Sequence, residues 1–88
     1  MNPESFPYAM SAHAAKVVSE REIVAEWIVR TVVEPAMLEP DRRDRELKHA
    51  LARIPEFGNR VLRVVYNETV APWRIVTAFF DRTKRSLP

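Results

Sequence analysis

The sequence predicts an α+β domain in which helices cover one face of an antiparallel sheet. Three observations carry this. Ile23, Val24, Trp27, Ile28, Val32 and Val33 recur at helical spacing, with Glu22, Glu26 and Arg30 on the opposite side. Residues 60–66 and Trp73–Phe80 are rich in valine, isoleucine and aromatic side chains, the composition of strands. The helical pattern precedes the extended runs, an order that lays helices over one sheet rather than between parallel strands.

Taken in order, Pro3, Ser5 and Pro7 leave residues 1–7 a flexible start that runs into a short extended segment near Tyr8, Ala9 and Met10. A first helix is expected from His13 through Val18. Ser19-Glu20-Arg21-Glu22 has the form of a capping box, which places the start of the second helix there. Pro35 removes a ladder donor and biases Glu34 away from helical angles, so that helix stops near Val33. Residues 36–39 read as a short strand, and the charge run 41–46 as a solvated loop.

Leu47–Ile54 satisfies both periods. Leu47, Ala50, Leu51 and Ile54 fit a helix, whereas the turn at residues 55–59 would close a hairpin if the segment were a strand. A last pair of strands is joined by residues 67–72. The domain is expected to run over residues 8–82, with a basic tail at 83–88.

With 88 residues the chain holds one small core. No apolar run approaches the roughly 18 residues of a membrane span, and the opening lacks the order of a secretory signal, so the expected location is the cytoplasm. The absence of cysteine closes thiolate chemistry and disulfides, and two histidines alone make a weak metal site. Gly58, the single glycine, cannot supply a glycine-rich phosphate loop. No metal and no nucleotide cofactor are expected.

Charge is uneven. Residues 1–40 hold six acids and three bases, residues 41–88 six acids and eleven bases, and 11 of the 14 cations are arginine. The planar guanidinium suits phosphate and carboxylate recognition, so an anionic partner is expected, RNA or an acidic protein.

The spacing of His13, Arg21, Ile23 and Pro35, with residues 54–66 and 76–82 after it, resembles a small bacterial domain-of-unknown-function family, number 4258. The resemblance covers most of the chain. That family is similar in outline to the BrnT and RelE/ParE-type toxins, which implies two N-terminal helices on a small curved antiparallel sheet and makes Leu47–Ile54 a strand. It also implies a toxin-like protein that contacts RNA, a metal-independent ribonuclease in its sharper form, and an antitoxin-like protein partner. Many relatives carry a second basic residue four after the histidine, where this chain has Val17, so any role of that base is absent here.

A hairpin turning about Phe57 sets Arg53 opposite Val61, Leu51 opposite Arg63 and His49 opposite Val65. One face then carries His49, Arg53 and Arg63. The other carries Ala50, Ala52, Leu62, Val64 and Tyr66, and its small residues can accept a helix. Metal-free RNA cleavage needs proton-transfer groups and cations around the phosphate. The candidate catalytic set is therefore His13, Arg21, His49 and Arg63, and the candidate nucleic-acid contacts are Arg53, Arg60, Arg63, Arg74 and Arg82.

Each residue also has a plainer role. His13 can cap or pack the first helix, Arg21 can form a salt bridge, His49 can be a strand residue without a task, and the strand arginines can blunt edges. The second function class is a non-catalytic interaction domain that binds an acidic partner at the sheet edge.

Overall fold

The structure is a computed structural model that describes residues 7–84. The expected flexible start lies outside these residues except for Pro7, and the basic tail lies outside them except for Thr83 and Lys84. The elements run β1 (Tyr8–Met10), α1 (Ala12–Glu20), α2 (Ala25–Val33), β2 (Met37–Pro40), β3 (Leu47–Ile54), β4 (Arg60–Asn67) and β5 (Trp73–Phe80). A 3-10 turn at Pro55–Phe57 joins β3 to β4.

Two expectations about the helices need correction. Ser11, not anticipated as a cap, starts α1, where its Oγ accepts the Ala14 amide at 3.0 Å. Ser19 does not begin a helix. It lies in the last turn of α1, whose end is closed by Arg21 N to Val17 O at 2.9 Å and Ile23 N to Val18 O at 3.0 Å. Glu22 takes φ 55°, which breaks the spiral, and α2 starts at Ala25 with no side-chain cap. Ser19 and Glu20 form the end of α1 just after buried Val17, so the capping-box pattern falls on the close of one helix and not on the start of the next. The stop at Val33 before Pro35 is as expected.

The sheet has the order β1-β5-β4-β3-β2. The pairs β2·β3, β3·β4 and β4·β5 are antiparallel, but β1 runs parallel to β5. The sheet is therefore mixed, a correction to the purely antiparallel expectation. β1 precedes both helices in the chain and pairs along the outer edge of β5.

Leu47–Ile54 is a strand, and Arg53↔Val61, Leu51↔Arg63 and His49↔Val65 all hold. Ala50, Ile54, Leu62, Val64 and Tyr66 pack with Ala14, Ile23, Ile28 and Val32 of the helical segment, joined by Ile75 and Ala78 of β5. The small face does receive the helices. Fully burying a side chain such as Ile28 or Leu62 contributes about 1.5–3 kcal/mol, so this layer dominates stability. Leu51 and Val61 form a separate small buried cluster on the other face, which among the described residues has no helix on it.

Candidate functional site

Arg63 on β4 organises the helix-free face. Its Nε and Nη2 lie 2.9 and 2.8 Å from Asp81 Oδ2, and its Nη1 donates to His49 Nδ1 at 2.8 Å. Nη2 is also 3.2 Å from Glu39 Oε1, an ion-pair distance without an aligned hydrogen bond, which leaves that buried oxygen unsatisfied. Because a guanidinium only donates, His49 Nδ1 is the acceptor and its proton sits on Nε2, 2.7 Å from Asp41 Oδ1.

Asp41 Oδ2 accepts the Arg43 and Asp44 amides at 3.0 and 2.9 Å. These contacts, the His49 bond first, draw its carboxyl down to about 2. Asp81 Oδ1 accepts from the Thr83 hydroxyl and amide, and these bonds together with Arg63 hold its carboxyl below the usual range. Arg63 is 12% exposed and every nitrogen of its head is engaged. It ties β2, β3 and the residue after β5 to β4.

The second feature is a groove of about 750 Å³ at the turn end of the sheet. Among the residues that line it are Arg21, Arg53, Arg60, Arg82, Phe79 and Asp81. Arg21 follows α1 and donates to Ala78 O at 2.8 Å, which covers the edge of β5 beyond β1. Arg53 donates to Asn59 O at 3.0 Å. Arg60 lies over the Phe57 ring, 4.9 Å from its centroid.

Among the described residues, Arg21, Arg60 and Arg82 have no carboxylate partner. Asp81 is the one acid among the described residues of the groove wall, and Arg63 and Thr83 occupy it.

The family model described as domain of unknown function DUF4258 matches residues 10–80, the span from the end of β1 to the end of β5. The chain belongs to the DUF4258 family. No curated protein and no solved structure matches it. The DUF4258 match takes in Arg21, His49, Arg53, Arg60 and Arg63, while Asp81 and Arg82 follow directly after it.

Within this DUF4258 domain the sequence-derived catalytic set does not converge. His49 and Arg63 touch each other, but Arg21 belongs to the groove, and His13 Nε2 faces Thr77 Oγ1 at 3.3 Å on the β5 side. Neither histidine lines the groove. Of the nucleic-acid candidates, Arg53, Arg60 and Arg82 share it, whereas Arg63 lies in the carboxylate network and Arg74 is exposed on β5 opposite Asn67.

Sequence reasoning missed Asp41, Glu39 and Asp81. The one available signal was Asp41 at the head of the loop, with backbone amides two and three residues on, a spacing that aspartate satisfies locally. Among the described residues no group of three histidine or acidic side chains could hold a metal ion, and no helix is long and apolar enough to cross a membrane.

Proposed function

We propose that this DUF4258 protein is a toxin-like protein of the RelE/ParE/BrnT group that contacts RNA through its arginine groove. One observation carries the reading: three guanidiniums, on Arg21, Arg60 and Arg82, line one concavity with no carboxylate set against them among the described residues. Unneutralised guanidiniums gathered in a concave surface attract phosphate oxygens and can grip them bidentately. The layout of two helices over a sheet supports the likeness to those toxins at the level of fold, and a shared fold does not carry a reaction.

Cleavage asks for more. A metal-independent ribonuclease needs proton-transfer groups at the scissile phosphate. Asp41 orients His49 as a base would be oriented, but Arg63 holds the other ring nitrogen and His49 is not on the groove wall. The geometry therefore supports binding over cleavage.

The test is the anisotropy of a labelled single-stranded RNA titrated with protein between 50 and 200 mM salt. Phosphate contacts by Arg21 and Arg82 give a log–log slope of about −1.4, roughly a 7-fold loss of affinity over that range. Replacing Arg21 and Arg82 with alanine should cut the slope by about 1.4. RNA left unbound while an acidic peptide binds the same groove would overturn this reading in favour of a protein-binding domain.

A further inference from the structure

We infer that the groove takes RNA as a single strand, with one unpaired base laid on the guanidinium of Arg60; this rests on the RNA reading above. The platform is already built. The Arg60 guanidinium carbon is 4.9 Å from the Phe57 centroid. Phe57 is fixed from beneath, with ring centroids 5.4 Å from Trp27 and 4.9 Å from Phe80, and both of those side chains pack on the main core.

The ring below holds one face of the guanidinium, which reduces the entropy lost when a flat group lands on the other. Arg60 is exposed, and among the described residues its side chain makes no hydrogen bond or ion pair that would have to break.

A Cβ at Gly58 would sit 3.9 Å from Arg60 Cγ and Nε, ordinary van der Waals contact, so glycine there answers to its φ of +64° and not to the stack. Bases in a duplex keep their faces against one another and cannot use such a platform, whereas unpaired bases stack on arginine planes as well as on aromatic rings. Arg21 and Arg82 on the groove wall then take the flanking phosphates. The division of labour is a planar cation for the base and two further cations for the backbone.

The experiment compares three labelled probes of equal length: a single-stranded RNA octamer, its duplex, and an octamer with abasic residues throughout. Each is titrated with the parent protein and with R60K and R82K. The parent should favour the single strand over the duplex and the abasic strand by about 5-fold or more, the loss expected when one stacked base is removed. R60K keeps the charge and loses the plane, so it should fall to the abasic level with its salt slope unchanged. R82K should retain the base preference.

Equal binding of all three probes, or an R60K protein that still discriminates, would overturn the stacking inference and leave the RNA reading in place. Binding of none of the probes would overturn the RNA reading itself, and this inference with it. Circular dichroism of R60K against the parent checks that the exposed substitution leaves the fold intact.

Discussion

Arg63 Nη1 donates to His49 Nδ1 at 2.8 Å, and this single bond decides what the histidine can be. With Nδ1 accepting, the proton lies on Nε2 and faces Asp41, so the imidazole is a structural link from the β2–β3 loop to β4. A histidine that looks like a base in the sequence is here the middle of a chain Asp41–His49–Arg63–Asp81.

Removing that link should therefore cost stability. His49→Ala leaves Asp41 Oδ1 and one Arg63 donor without their protein partner, and a loss of about 1–3 kcal/mol is expected. Chemical denaturation measures it. RNA affinity measured on the same protein, below its unfolding range, should stay within about 2-fold of the parent, a readout that a role at the RNA would move.

Arg63 is the more costly loss. Arg63→Ala would leave Asp81 Oδ2 and Glu39 Oε1 without their cation, on side chains only 10% and 33% exposed that keep Thr83 and Lys84 at their other oxygens, and should destabilise by about 3 kcal/mol. Lysine should recover less than half of this, because one ammonium cannot span Asp81, His49 and Glu39 in a plane. Thermal unfolding of both variants is the check.

Acid should loosen the fold in a defined window. Glu56 is drawn from 4.5 to about 2, by its bond with the Arg30 side chain first, and Asp41 from 3.8 to about 2. A carboxyl whose folded value is depressed stabilises fully above its unfolded value and loses that contribution as pH falls to the folded one. Stability should thus decline between about pH 4.5 and 2. Glu56→Gln should flatten the upper part of that decline in urea midpoints taken at stepped pH, and leave the part due to Asp41.

In the core, Ile75 is fully buried between the helices and the sheet. Ile75→Ala should cost about 2–5 kcal/mol from lost burial and the cavity it leaves. Denaturant midpoints report this directly, and a cost below 1 kcal/mol would mean that the β5 layer is far more loosely packed than described.

Most of the architecture was legible because it rests on local patterns. β-branched runs gave β4 and β5, Pro35 gave the end of α2, and the compact turn at Phe57 fixed the register of β3 against β4 through every pair. Leu47–Ile54 was not decided by its own periodicity, since its alanines and leucines suit either state and only pairing with β4 chooses.

β1 was legible as extended, but its parallel partner was not, since pairing direction depends on where the chain enters the sheet. The capping box misled because a serine and a glutamate three apart also fit the end of a preceding helix.

The site was legible by residue type and not by position. Arginine richness pointed to anion binding, and Arg21, Arg53, Arg60 and Arg82 do meet. No pattern along the chain indicated that Arg63 would be consumed by carboxylates from two separate segments, because those partners are 18 to 24 residues away in sequence and become neighbours only through the sheet.

The most direct measurement of the central claim is an RNA titration followed by the side-chain Nε–Hε signals of the arginines in a labelled protein. The account predicts that the signals of Arg21, Arg60 and Arg82 shift together and saturate with one affinity, while that of Arg63, tied to Asp81, stays in place. Shifts confined to Arg42, Arg43 and Arg45, or led by Arg63, would contradict it.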